Sequence, residues 1–82
     1  MADERRSVFP GFDGLSDRRK ALAGELVTLR HEAGLSQTEV AARMGTSQSA
    51  VARLESGEGD LRLSSLERYA AALGRTIDWK LR

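Results

Sequence analysis

The side chains that could make or break a covalent bond are few in this chain, and nothing gathers them. His31 is the only histidine of the 82 residues, which rules out a multi-histidine metal site. It falls between Arg30 and Glu32, off the apolar stripe of its segment, where a solvent-facing residue is expected rather than a base. The sequence has no cysteine, so disulfides, thiolate–zinc sites and thiolate nucleophiles are excluded. Glu55, Glu58 and Asp60 are close in sequence but run from a helix end into a loop. Nothing holds two of them on one face at the separation that glycosidic cleavage needs. The serines stand where helices begin, and capping accounts for them. Gly57-Glu58-Gly59 lacks the further glycine and the lysine of a phosphate-binding loop. The expectation is no enzyme, with no catalytic residue, metal or cofactor.

A different chemistry is offered by Gln48, Ser49, Ala52 and Arg53. On a helix these positions share one face, and Val51 and Leu54 fall on the opposite one. The glutamine amide carries a donor beside an acceptor and suits an adenine edge, while the arginine fork suits guanine. Ala52 between them permits close approach or contact with a thymine methyl. A major groove about 12 Å wide admits one such helix edge-on.

That face must be held by the elements around it. Leu22, Leu26, Leu29 and Ala33 recur at helical spacing, with Ser16 as N-cap and Gly34 just beyond the end, so a helix is expected at about 17–33. Gly24 within it costs roughly 1 kcal/mol against alanine. Ser36-Gln37-Thr38-Glu39 is a capping box, flanked by Leu35 and Val40 at the hydrophobic-staple positions. The helix it opens, 37–44, is too short to stand alone in water and must be held by packing. After a tight turn at Gly45-Thr46, with Ser47 completing the cap, the next helix is expected at 48–56. Two short helices joined in this way form a helix-turn-helix, the first a brace and the second presented outward. Residues 57–62 read as a polar loop anchored by Leu61. A second capping box, Ser64 to Glu67, opens a helix with Leu66, Tyr69, Ala70 and Leu73 on one face, ending at Gly74. Met44, Val51, Leu54, Leu66, Tyr69 and Leu73 read as core.

The last residues change period: Ile77, Trp79 and Leu81 alternate with Asp78, Lys80 and Arg82, which reads as a strand with one apolar face. A single strand cannot satisfy its own backbone, so it pairs with the N-terminal arm or with a second chain. One further helical turn around the same three residues is the alternative. At the other end, residues 1–15 hold the only proline and both phenylalanines with little periodicity. They read as a flexible arm, or as a segment anchored by Val8, Phe9 and Phe12. The division expected is therefore an arm at 1–15, a helix-turn-helix domain at 16–75 and a C-terminal strand at 76–82.

Composition bounds the rest. With 40% hydrophobic residues, a chain of this size has one modest core and buries roughly 60–65% of its unfolded surface. No run approaches the ~18 apolar residues of a membrane span, and the basic-then-apolar order of a signal peptide is absent. The expectation is a cytoplasmic protein without a membrane partner. The formal charge of +1 gives little long-range attraction to DNA. Charge must act locally, through Arg53 and through Arg43 on the preceding helix. Two copies would double the phosphate contacts, with half-sites about 34 Å apart.

The stretch LRHEAGLSQTEVAARMGTSQSAVARLESGEGDLRLSSLERYAAALG resembles the phage-repressor/Cro-like helix-turn-helix family, often called XRE, over about residues 22–75. The motifs that carry the resemblance are Arg-x-x-x-Gly-Leu-Ser-Gln-x-Glu-Val-Ala, Met-Gly-Thr-Ser-Gln-x-x-Val-x-x-Leu-Glu-x-Gly and Leu-x-x-Tyr-Ala-x-Ala-Leu-Gly. It implies a mostly helical bundle that binds operator DNA as a dimer. It places Gln48, Ser49, Ala52 and Arg53 at base edges and makes Gln37 a phosphate contact that buttresses the reading helix. It puts Ser36, Thr46, Ser47 and Ser56 at the DNA backbone and pairs Arg30 with Glu55 as a structural ion pair. The phage repressors continue with a fifth helix, whereas a terminal strand is similar to antitoxins of the HipB and HigA kind. In the HipB type, strands of two subunits pair, which would make Ile77, Trp79 and Leu81 a dimer interface. The expected fold is all-α, a four- to five-helix bundle with a helix-turn-helix and a short C-terminal β-strand pairing across a dimer. The expected function is a sequence-specific regulator that binds double-stranded DNA at a pseudo-palindromic operator as a homodimer. The alternative is a module that binds and neutralises a toxin enzyme, with Phe9 and Phe12 ordering on that partner.

Overall fold

The computed structural model describes residues 10–58 and 61–78, with side chains from Asp17 onward. Four helices follow one another: α1 (Pro10–Glu32), α2 (Gln37–Met44), α3 (Gln48–Ser56) and α4 (Leu63–Ala72). The described residues are all-α.

The start of α1 corrects the expectation. The helix begins at Pro10 rather than near residue 17, so the boundary drawn at residue 15 lies inside it. Proline suits a first helical turn, because its fixed φ is already helical and its missing N–H would have no partner there. After it, Gly11 and Gly14 are poor helix formers, and the polar run from Ser16 to Lys20 separates Phe12 and Leu15 from the stripe that resumes at Leu22, which is why periodicity does not reveal this turn. The buried stripe of α1 is Ala23, Leu26 and Arg30, at i, i+3 and i+7; Leu22 and Leu29 flank it half-buried, and Ala33 is exposed. The helix ends as Gly34 enters the left-handed region at φ 72°. The Gly34 N–H donates to the His31 carbonyl at 3.0 Å and the Leu35 N–H to the Arg30 carbonyl at 3.1 Å, the two bonds of a Schellman motif.

The helix-turn-helix forms as its local signals require. Ser36 Oγ accepts from the Glu39 N–H at 3.0 Å, and Glu39 Oε1 accepts from the Ser36 N–H at 2.8 Å. These bonds to the ionised form, the backbone one foremost, hold the Glu39 carboxyl below the usual carboxylate range. Leu35 packs against the core on one side of this cap, and Val40 is fully buried on the other. Gly45, at φ 74°, ends α2, with the Thr46 N–H closing on the Ala41 carbonyl at 2.9 Å. Ser47 then caps α3, its Oγ accepting from the Ala50 N–H at 3.1 Å.

The second capping box does not form. Arg62 is the N-cap of α4 and makes no side-chain capping bond. Buried Leu61 and Leu66 clamp this turn from both sides, and the Ser65 and Leu66 amides close onto the Arg62 carbonyl. Ser64 therefore sits inside the first turn. The core lies where α1 and α2 each pack against both α3 and α4, with Tyr69, Leu66, Val40 and Val51 as its largest fully buried side chains. Residues 75–78 carry no regular secondary structure, so the strand expected from residue 76 does not begin among the described residues. Ile77 is half-buried against the core. Trp79 and Leu81 lie outside the described residues.

Candidate nucleic-acid interface

The outer edge of α3 is the face its sequence spacing marks out. Gln48, Ser49 and Arg53 are exposed and Ala52 is half-buried, while Val51 and Leu54 are buried behind them. Thr46 and Ser47 are exposed at the entry to the helix, with Ser47 Oγ and Ser49 Oγ 3.2 Å apart. Ser56 closes the far end of α3. Its hydroxyl donates to the Arg53 carbonyl at 2.8 Å and accepts from the Glu58 N–H at 3.3 Å. Ser36 is exposed at the start of α2, its hydroxyl engaged in the cap.

Behind this edge four elements meet at one carboxylate. Glu55 Oε2 accepts from Arg30 Nε at 2.7 Å and from the Tyr69 hydroxyl at 2.5 Å. Glu55 Oε1 accepts from Gln37 Nε2 at 2.8 Å and from Arg30 Nη2 at 3.2 Å. Arg30 Nη1 donates to the Leu35 carbonyl at 2.8 Å, which ties the α1–α2 turn into the same cluster. Both charged side chains are only 9% exposed, so the ion pair is a buried one. Burial pushes the Glu55 carboxyl up, but the hydrogen bonds from Arg30, Tyr69 and Gln37 outweigh it and hold the group below the usual carboxylate range. Burial, with Glu55 as neighbour, drives the Tyr69 phenol well above its ordinary value. The bond to Glu55 raises the already basic Arg30 further, against the opposing effect of burial.

Gln37 links this cluster to the outer edge. Its Nε2 goes to Glu55, and its Oε1 accepts from Gln48 Nε2 at 2.8 Å. The structure thus brings Arg30, Glu55, Gln37 and Gln48 into one continuous path. It does not bring Arg43 into that path: Arg43 Nη1 donates to the Ala72 carbonyl at 2.9 Å, at the end of α4. Arg68 donates to the Met44 carbonyl in return, at the end of α2. Both arginines complement carbonyls that a helix end leaves open.

Sequence reasoning misses Tyr69 as a polar partner, since its spacing marks it only as core. The signal is its type: a buried tyrosine, unlike phenylalanine, has a hydroxyl that must be satisfied. It also misses that Arg30 lies on the buried stripe, seven residues after Ala23. A groove of about 220 Å³ between α3 and α4, lined in part by Arg53, Arg62 and Arg68 and by one carboxylate, Glu58, has an excess of positive charge beside the edge. Among the described residues, no helix is long and apolar enough to cross a membrane.

The chain is similar in sequence to known proteins. The profile of a family described as helix-turn-helix matches residues 26–80. The chain is 46% identical over 67 residues to Antitoxin HigA1 of Mycobacterium tuberculosis, covering 78% of this chain and 45% of that protein. It is 37% identical over 62 residues to an uncharacterized HTH-type transcriptional regulator of Haemophilus influenzae, covering 76% and 63%. A second such regulator, y4dJ of Sinorhizobium fredii, is 41% identical over 58 residues, covering 71% and 75%. The chain therefore spans less than half the length of the HigA1 antitoxin and under two thirds of the Haemophilus protein. No solved structure matches.

Proposed function

The chain belongs to the helix-turn-helix family, and from that premise we propose that it is a sequence-specific regulator of double-stranded DNA, a repressor or autorepressing antitoxin acting as a homodimer. The observation that carries this reading is the exposed edge of α3, polar and short in side chain, with its buried face clamped by the core and Gln48 braced from α2. In the groove, Gln48, Ser49, Ala52 and Arg53 meet base edges. Ser36, Gln37, Thr46, Ser47 and Ser56 meet phosphates, and Arg43 does so with the guanidinium donors that Ala72 leaves free. Ile77, Trp79 and Leu81 join two copies, which sets half-sites about one helical turn apart on a pseudo-palindromic operator. Occupancy of the site by the dimer excludes polymerase. No catalytic step, metal or cofactor enters this scheme, and the protein works in the cytoplasm.

A second reading, in which the main task is to hold a toxin enzyme, is favoured by the similarity to the antitoxin HigA1. Gel-shift titration of a duplex selected from a random pool separates the two. Groove binding predicts tight, sequence-dependent binding whose affinity falls steeply as salt rises. A protein that shows no sequence preference and no salt dependence is not a groove reader, and the partner-holding reading then stands.

A further inference from the structure

We propose that Glu55, acting through Gln37, fixes the direction in which the Gln48 amide faces a base. Glu55 is thereby a specificity-determining positioning residue that itself touches only protein. The inference rests on the reading of α3 as the base-contacting helix.

An amide can be turned end for end with almost no change in shape, so packing alone does not decide whether its oxygen or its nitrogen leads. Here the choice is made chemically, one group at a time. The Glu55 carboxylate, paired with Arg30 and receiving the Tyr69 hydroxyl, has only acceptor atoms to offer. Gln37 must therefore present Nε2 to it, at 2.8 Å. Oε1, the opposite end of that planar amide, can only accept. Gln48 must meet it with Nε2, again at 2.8 Å. What Gln48 retains for a partner outside is Oε1 and one N–H, in a fixed order along the edge of α3. Turning the amide round would set two oxygens against each other at Gln37. Adenine presents its N6 donor and N7 acceptor in one order, so the order on the amide is information.

Glu55→Gln is an incisive variant. The new amide keeps its oxygen at the Oε2 position, where Arg30 Nε and the Tyr69 hydroxyl both donate. Its NH2 then stands at the Oε1 position, where the 3.2 Å bond from Arg30 Nη2 is lost, and faces Gln37, which must turn, and Gln48 must turn with it.

The test has two arms. In the full-length wild-type protein without DNA, through-hydrogen-bond NMR couplings are expected from Gln37 Nε2 to the Glu55 carboxyl carbon and from Gln48 Nε2 to the Gln37 amide carbonyl carbon. A coupling from Gln37 Nε2 to the Gln48 carbonyl carbon overturns the proposal, and this arm decides the matter even if Glu55→Gln does not fold. In the second arm, the wild type, Gln48→Ala, Arg53→Ala and Glu55→Gln each select from randomised duplexes. The wild type is expected to prefer one base about tenfold or more at the position that Gln48→Ala erases. Glu55→Gln is expected to change or lose that preference and to leave the Arg53-dependent position as it was. An unchanged preference in folded Glu55→Gln, or an equal loss at every position, assigns Glu55 a structural role only and overturns the proposal. If the wild type selects no sequence at all, the reading of α3 fails, and the couplings still report the amide direction.

Discussion

Replacing Glu55 by alanine removes the acceptor of four hydrogen bonds at once, two from Arg30 and one each from Gln37 and Tyr69. The Arg30 residue left behind is 7% exposed, so its charge cannot recover full hydration without local opening. Breaking a buried ion pair from one side costs about 3–5 kcal/mol. An 82-residue chain has about 4–12 kcal/mol of stability in total, so the variant should lose a large share of it. At about 4–8 °C per kcal/mol for a domain of this size, the melting temperature should drop by at least ~12 °C. Circular dichroism at 222 nm and pH 7 follows this directly. The double variant Arg30→Met/Glu55→Leu should recover part of the loss, because replacing both charges with apolar groups removes the unpaired cation. A drop below about 4 °C for Glu55→Ala, or a double variant that is the sum of its singles, would refute the placement of a buried, mutually dependent pair at this junction.

The same carboxylate sets a pH dependence. Its folded-state pKa is depressed, so its contribution is fully present above the unfolded value of about 4.3 and is lost as pH falls through the folded value. Wild-type stability should hold between pH 7 and about 5 and decline below about 4, more steeply than in Glu55→Gln; parallel acid profiles would contradict this. Arg53→Ala should cost about 1–3 kcal/mol at a selected duplex and relax its sequence preference, as read by competition gel shift. Gly24→Ala should stabilise by about 0.5–1 kcal/mol, since an added Cβ meets nothing within 4 Å. Gly45→Ala should instead destabilise by about 1–2 kcal/mol, because φ is 74° at that position. Sedimentation should find a dimer for the full chain and a monomer for residues 1–75; two monomers would remove the proposed interface at Ile77, Trp79 and Leu81.

What the sequence makes legible follows the range of the interactions. The bounds of α2 and α3 are readable because a capping box, a serine cap and left-handed glycines settle them within a few residues. The start of α1 is not readable, because Gly11, Gly14 and the polar run from Ser16 to Lys20 cut Phe12 and Leu15 off from the stripe that begins at Leu22. The start of α4 misleads because Ser64 to Glu67 has the composition of a cap, whereas burial of Leu61 and Leu66 decides where the turn closes. The outward set Gln48, Ser49, Ala52 and Arg53 follows from helical period once Val51 and Leu54 are placed inward. The cluster at Glu55 joins residues 30, 37, 55 and 69 from four helices, and spacing along the chain carries no trace of such a meeting. Only the family resemblance pairs Arg30 with Glu55, and neither it nor the spacing supplies Tyr69.

The central claim is that the hydrophilic edge of α3 meets the bases of a duplex. Titrating the 15N-labelled protein with a selected duplex and recording intermolecular NOEs tests it most directly. Contacts are expected from the side chains of Gln48, Ala52 and Arg53 to base protons in the major groove. NOEs to the duplex confined to other helices, with these three side chains unaffected, would contradict it.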